Sequence, residues 1–309
     1  MMNSTKHIPV LFNETIEALN IKTDGTYVDA TGGAGGHSSA ILERLTEGRL
    51  IIFDQDPMAI EILKERFGND SRVTIVHKNF VYIKEVLEEL GIDKVDGVTA
   101  DLGVSSMQLD NAERGFSYQK DAPLDMRQNT DEGISARDIV NNYTQQELQK
   151  IIYEFGDERY AASIARNIVK AREKKPIETT FQLVDIIKMS MPAKAQRDGH
   201  PARRTFMSLR IATNNEYEVL NKALDDMFDV LTPGGRLAVI SFNSSEDAIV
   251  KRHLLKYTRG CVCSRESPVC TCGRTPRGKL PFKSIAPGDG EIDSNFRAHS
   301  ARLRAIEKL

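Results

Sequence analysis

Two carboxylates and a run of glycines are the residues whose types and spacing point most directly to chemistry. Gly32, Gly33, Gly35 and Gly36 fall within five positions of the stretch Asp29-Ala30-Thr31-Gly32-Gly33-Ala34-Gly35-Gly36-His37-Ser38-Ser39. So little side chain suits a tight turn at which a ligand touches backbone and the N–H groups of a following helix point at it. Asp54 lies eighteen positions after Gly36 and closes the apolar run Leu50-Ile51-Ile52-Phe53. That is close to the spacing of about 20 residues at which a nucleotide-binding βαβ unit sets an acid against ribose hydroxyls. Asp101 ends a second such run, Val95-Asp96-Gly97-Val98-Thr99-Ala100. Cys261, Cys263, Cys270 and Cys272 form a separate cluster and are the only cysteines of the chain. They could bind zinc, although structural zinc sites usually space paired cysteines by about two to four residues. Reduced loop thiols are the alternative, and no metal ligand is assigned.

The elements that must position these groups follow from periodicity. Tyr27-Val28-Asp29 reads as a strand feeding the glycine turn, and Ile41, Leu42 and Leu45 give the next helix its apolar face, with Ser38 and Ser39 as caps. Asn13 is expected to cap a helix over Glu14–Leu19, and Asp56 with Pro57 to open the helix after Asp54. Arg72–Val76 and Val95–Leu102 are the third and fourth strands. Continuous apolar runs mark parallel strands covered on both faces, with a site at their C-terminal ends. The alternation then stops. Thr144-Gln145-Gln146-Glu147 is a capping box before one helix, and Arg159–Lys175 and Thr180–Met191 are two more. A long helix from Thr205 to Leu231 and a fifth strand, Leu237–Phe242, resume the α/β pattern. The segment from Cys261 to Asp293 reads as loop, and Ser300–Ile306 alternates like a last strand. The division expected is 1–109 and 205–309 for a sheet core and 110–204 for an inserted all-helical domain.

Composition limits the function classes. The chain has 309 residues, 40% hydrophobic and 28% charged, with a net charge of −2. That excludes a uniformly basic nucleic-acid coat. No run of about 18 apolar residues predicts a membrane helix, and Met1-Met2-Asn3-Ser4-Thr5-Lys6 does not lead into a signal core, so a cytoplasmic protein is expected. From Lys251 to Leu309 there are 13 Lys/Arg against 5 Asp/Glu, and Lys170, Arg172, Lys174 and Lys175 form a second cluster. Such clusters read either as a solvated face or, with a nucleic-acid substrate, as a grip on phosphates.

A glycine turn with an acid after the second strand fits a nicotinamide dinucleotide or S-adenosylmethionine. The dinucleotide pattern G-x-G-x-x-G can be forced through Gly33 and Gly35 only onto Ser38, which is not glycine. S-adenosylmethionine carries no phosphate and needs close backbone approach and a ribose acid. Leu231-Thr232-Pro233-Gly234-Gly235-Arg236-Leu237 is the helix-to-strand crossing typical of its methyltransferases, which favours that cofactor.

Further motifs are more specific: Asp101-Leu102-Gly103-Val104-Ser105-Ser106-Met107-Gln108-Leu109-Asp110, Arg114-Gly115-Phe116-Ser117, Pro123-Leu124-Asp125-Met126-Arg127 and His200-Pro201-Ala202-Arg203-Arg204-Thr205-Phe206. With His7–Leu11, Asp29-Ala30-Thr31, Gly35-Gly36-His37 and Asp54-Gln55-Asp56-Pro57, they resemble the RsmH/MraW family, bacterial 16S ribosomal RNA cytosine-N4 methyltransferases. The resemblance implies a Rossmann-like S-adenosylmethionine-dependent methyltransferase sheet with an inserted all-helical domain. It implies cofactor contacts from Gly35, Gly36, His37, Asp54, Phe80, Asp101 and Gln108, and a substrate of 16S ribosomal RNA within the small ribosomal subunit. Taken by spacing alone, His37 is a cap or packing residue, Phe80 a core aromatic and Gln108 a loop amide. Where the family usually has Ser-Phe-His-Ser-Leu-Glu-Asp, this chain has Ser241-Phe242-Asn243-Ser244-Ser245-Glu246-Asp247, and Asn243 does not titrate. Asp101 suits cofactor binding better than activation of N4, and neither a catalytic base nor an oligomeric state is assigned. An adenine-N6 enzyme, whose Pro-Pro-aromatic motif is missing here, and a cofactor-binding assembly factor without turnover are the other readings.

Overall fold

The computed structural model describes residues 9–197, 199–261, 263, 269 and 271–309. His7 and Ile8 of the resemblance and Cys270 lie outside them. The chain forms two compact units, residues 1–103 with 217–309, and residues 104–216.

The first unit is built on one sheet. Strands β1 (Thr26–Asp29), β2 (Arg49–Asp54), β3 (Val73–His77), β4 (Val95–Asp101), β5 (Leu231–Ser241), β6 (Gly278–Lys279) and β7 (Arg302–Lys308) lie in the order β3-β2-β1-β4-β5-β7-β6. The first five run parallel, while β7 is antiparallel to β5 and β6 to β7. Helices α1 (Phe12–Leu19), α2 (Gly36–Leu42), α3 (Pro57–Phe67) and α4 (Ile83–Glu89) come first. The second unit holds α5 (Ser106–Asp110), α6 (Ala136–Asn142), α7 (Gln145–Gly156), α8 (Ala161–Arg172), α9 (Thr180–Met189) and α10 (Arg203–Thr213). Helices α11 (Glu216–Asp229), α12 (Ser244–Thr258) and α13 (Asp289–Ser294) return to the sheet. No described helix is long and apolar enough to cross a membrane.

Alternation along apolar strands explains the layers. Tyr27, Leu50 and Ile52 point to one face and pack with Ile16, Ile41 and Leu63 of α1, α2 and α3. Val28, Ile51 and Phe53 point to the other and pack with Leu87, Phe228 and Leu254 of α4, α11 and α12. Burial of both faces is why these strands read as unbroken apolar runs. The expected Rossmann-like α/β sheet with an interposed helical segment is therefore the fold found, including the alternating last strand.

Several local expectations change. The long helix expected from Thr205 to Leu231 is two, α10 and α11, broken where Asn215 takes φ 52. Left-handed backbone ends a helix, and asparagine tolerates it better than most residues. Phe206 and Leu209 of α10 are buried with Ile139, Leu148 and Ile152. The helical unit therefore runs on to Glu216, beyond the 110–204 span drawn from sequence. Asn13 is not the cap of α1: Leu11 holds that position, also left-handed, and its N–H donates to the Glu291 carboxylate at 2.8 Å. Glu291 belongs to α13, a helix inside the stretch expected to be loop. By contrast, Asp56 caps α3 through the Met58 N–H with Pro57 at the first position, and Thr144 with Glu147 closes the expected capping box of α7.

Asn214 anchors the end of α10. Its Oδ1 accepts the Gln128 N–H at 2.7 Å, and its Nδ2 donates to the carbonyls of Met126 and Arg210, both at 2.8 Å. Asn214→Ala removes all three bonds and is expected to lower the unfolding free energy by about 1–3 kcal/mol, measured by urea denaturation. An unchanged urea midpoint would show that the break is held by other contacts.

Candidate cofactor site at the sheet edge

Parallel sheets bind ligands where the strand order reverses, outside the C-terminal strand ends. Here that point lies between β1 and β4. Strand β1 stops at Asp29, which sits opposite Ile52 of β2 and Thr99 of β4. Its neighbours each continue two residues further, to Asp54 and Asp101. The glycine turn leaves the sheet between them.

Its backbone is tied to both sides. The Thr31 hydroxyl accepts the Asp101 N–H at 2.7 Å, the Gly32 N–H donates to the Phe53 carbonyl at 2.8 Å, and the Gly33 N–H donates to Asp54 Oδ2 at 2.7 Å. Gly33 and Gly35 have φ of 51° and 78°, a region open to glycine at little cost. A methyl at Gly32 would lie 2.5 Å from Ile52 Cγ2 and 2.7 Å from Leu63 Cδ1, so close approach also requires glycine there. Gly35 is the cap residue of α2 and Gly36 its first residue. Ser38 is therefore not a cap. It lies inside α2, buried, and its hydroxyl donates to Asp29 Oδ2 at 2.6 Å, while the Thr31 N–H donates to Asp29 Oδ1 at 3.1 Å.

Asp54 is half-buried. Desolvation pushes its pKa up to about 6, with the charges of Asp56 and Asp29 adding, against hydrogen bonds from the Asp56 and Gly33 N–H groups. Each carboxylate oxygen accepts one of those N–H groups, which leaves a lone pair on each for a diol. Asp101 is pushed up to about 8, chiefly by desolvation and then by Asp29 and Glu246. Its Oδ1 is enclosed without a hydrogen-bond partner among the described residues, although a quarter of the side chain, 26%, reaches solvent. His37 is 5% exposed and stacked on Phe12 at 5.9 Å between ring centroids. Burial pulls its pKa down to about 4. At neutral pH the 3.9 Å approach of His37 Nδ1 to Asp101 Oδ2 is therefore a contact between two uncharged groups, and His37 Nε2 is likewise buried without a partner.

Phe80 follows β3 in a short 3-10 turn, half-buried against the core, with the Asn79 amide donating to Gln55 Oε1 at 2.7 Å. Sequence reasoning thus named six residues that the structure sets along the ends of β1 to β4. Gln108 lies in the helical unit, buried, where it closes a capping box with Ser105 at the start of α5. Missed were Asp29, Ser38 and Thr31, which set the turn. Their signal was an acid ending a strand just before the glycines and a serine nine positions on. Asn243, where a histidine is usual, caps α12.

The donor and acceptor set fits S-adenosylmethionine. Asp54 can accept from ribose hydroxyls, the turn admits backbone contact, and the two orphaned atoms, His37 Nε2 and Asp101 Oδ1, suit the charged amino-acid end. Sheet order, antiparallel last pair and edge chemistry together define a Rossmann-like S-adenosylmethionine-dependent methyltransferase. The chain belongs to the MraW methylase family, whose sequence model matches residues 4–309. It is similar to the ribosomal RNA small subunit methyltransferase H of Clostridium botulinum strain 657 (type Ba4), 51% identical over 306 residues, 98% of this chain and 99% of that one. The protein of the same name from Clostridium botulinum strain Kyoto (type A2) matches with the same identity and coverage. Among solved structures, an rRNA methylase from Streptococcus thermophilus aligns over 100% of this chain and 99% of that one, at 12% identity and a TM-score of 0.42.

The His37 environment gives a direct check. Its ring carbon-bound protons are expected to titrate in NMR with a midpoint near 4, because burial opposes the imidazolium. A midpoint at the ordinary 6.5 would mean that the ring is hydrated.

Proposed function

We propose that this chain methylates the exocyclic N4 of a cytidine in 16S ribosomal RNA, within the small ribosomal subunit and in the cytoplasm. The reading is carried by the convergence of the glycine turn, Asp54 and Asp101 on one sheet edge, in a chain that matches a methylase family over residues 4–309. Relatives 51% identical to it are named as small-subunit ribosomal RNA methyltransferases, and the fourth-strand motif supports cytosine through the family resemblance.

When bound, S-adenosylmethionine supplies an electrophilic methyl carbon on a sulfonium. The chain's own residues position it. Gly35 and Gly36 let backbone approach, Asp54 takes the ribose hydroxyls, Phe80 offers a face to the adenine, and His37 and Asp101 meet the amino-acid end. Gln108 stays in the set on the resemblance alone. In-line displacement depends mainly on such placement. A buried donor also requires the target base to leave its stack, which favours single-stranded or opened RNA.

The tail is less available to phosphate than its charge count suggests. Lys256, Arg277, Lys279 and Arg304 are already paired with Asp225, Asp229, Glu307 and Asp247. Lys251, Arg259, Arg274, Lys283 and Arg302 are exposed without an ion-pair partner among the described residues, so they are the cations proposed to grip the backbone.

Incubating small ribosomal subunits that lack the modification with labelled S-adenosylmethionine is expected to give labelled N4-methylcytidine on nucleoside mapping. Label on adenosine would sink the cytosine assignment, and no label would favour a binding role without turnover.

The raised carboxyls predict proton linkage. At pH 7 Asp101, near 8, is mainly protonated in the free protein, and Asp54, near 6, is mainly ionised. A cationic amino-acid end favours ionised Asp101 and ribose hydroxyls favour ionised Asp54, so binding lowers both pKa values. Affinity therefore rises with pH, through 6 and then towards 8, and binding at pH 7 releases about one proton. Calorimetry in buffers of different ionisation enthalpy reads this release directly. Asp101→Asn should abolish most of it, and release unaltered by that substitution would remove Asp101 from the cofactor set.

A further inference from the structure

Cys261, Cys263 and Cys272 take no part in the methyl-transfer site, and the structure gathers them. The Sγ atoms of Cys261, Cys263 and Cys272 all lie within 4.8 Å of one another, and those of Cys261 and Cys272 are 3.8 Å apart. A tetrahedral zinc ion with bonds of about 2.3 Å to sulfur sets its thiolates about 3.8 Å apart. Covalently bonded sulfurs sit at about 2.05 Å, so Cys261 and Cys272 are not joined, and their separation matches the one a common zinc ion requires.

The backbone explains why distant cysteines meet. Between α12 and β6 the described residues form no helix or strand, and the base of this stretch is closed. The Arg277 N–H donates to the Tyr257 carbonyl at 2.9 Å, and a methyl at Gly260 would lie 3.0 Å from Pro276 Cδ. Just beyond this closure, one limb carries Cys261 and Cys263 and the other Cys272. The Cys263 N–H donates to Cys261 Sγ at 3.4 Å, the kind of outer support that orients a metal-bound thiolate.

The place in the fold separates this cluster from the cofactor edge. Helix α12 starts just past the C-terminal end of β5 and its 15 residues run back about 22 Å. Arg277, at the loop's base, pairs with Asp229, which closely precedes β5. The cysteines therefore stand at the N-terminal edge of the sheet, opposite Asp54 and Asp101.

We propose that Cys261, Cys263 and Cys272 hold a structural zinc ion that fixes the loop between α12 and β6. Three thiols lose their protons to solvent as three zinc–sulfur bonds form. Soft thiolate ligands select zinc over magnesium or calcium. A water completes the tetrahedron. The proposal stands apart from the methyl-transfer reading and is tested without measuring it.

The test is elemental analysis of the full chain, purified in reductant without a metal-affinity column. About one zinc per chain is expected, and cobalt exchanged for it should give the intense visible bands of a tetrahedral thiolate site. Cys272→Ser is expected to lose most of the metal, and stripping zinc with a chelator should speed tryptic cleavage after Arg274, already exposed, by freeing the backbone around it. Because that variant could unfold the tail, the native chain decides. Failure to hold zinc after dialysis against it, with the thiols reduced and freely reactive towards a thiol reagent, would overturn the proposal. So would iron in place of zinc, or disulfides among these cysteines.

Discussion

Three neighbouring parallel strands each end in a carboxylate, and the shortest is in the middle. Asp29 stops β1 two residues below the ends of β2 and β4, which is about 7 Å of strand rise. That notch is the constraint on which the edge depends. The turn has to fill it without side chains and still leave room for a ligand between Asp54 and Asp101. Asp29 is 1% exposed, and burial raises its pKa. Bonds from Ser38 and Thr31 support its ionised form, and its charge in turn raises Asp54 and Asp101. One buried acid thus fixes the path of the turn and biases the protonation of both acids beside it.

The glycines answer distinct demands within that notch. Gly32 is needed because Ile52 and Leu63 leave no space for a methyl, and Gly33 and Gly35 because their φ angles are positive. Thr31 and Gly33 then hydrogen-bond to opposite strands. A turn stitched to β2 on one side and β4 on the other cannot move without disturbing both acids. Such rigidity suits a reaction whose rate rests on placement.

Much of this was legible because apolar runs, acids at strand ends and glycine clusters are local signals. Asp54 and Asp101 could be placed from the runs they close, and Asp56-Pro57 from its cap chemistry. What was not legible depends on distant partners. Ser38 resembles a cap until Asp29 is seen beneath it, and Asn13 resembles one until Leu11 is found bonded to Glu291, 280 positions away. The break at Asn214-Asn215 was hidden because helical periodicity continues on both sides, while the anchors of Asn214 lie at Met126 and Gln128. His37 showed its place in the sequence, but its neutrality is a product of burial that spacing does not carry.

Asn243 shows how such a partner network limits chemistry. Its Oδ1 accepts the Glu246 N–H at 2.9 Å and the Tyr217 hydroxyl at 3.2 Å, while Glu246 Oε2 accepts the N–H groups of Phe242 and Asn243 at 2.8 and 3.3 Å. An asparagine serves this cap well, and it does not titrate near neutral pH as the imidazole usual in the family would. Glu246, held in place by the cap and 2% exposed, adds to the upward shift of Asp101. His37, whose pKa burial lowers to about 4, is a weak proton acceptor in its place. Asp54 near 6 and Asp101 near 8 are then two acids of this edge that change charge around neutrality. Under the proposed reaction, a proton shed by the methylated amine has water or a carboxylate to go to.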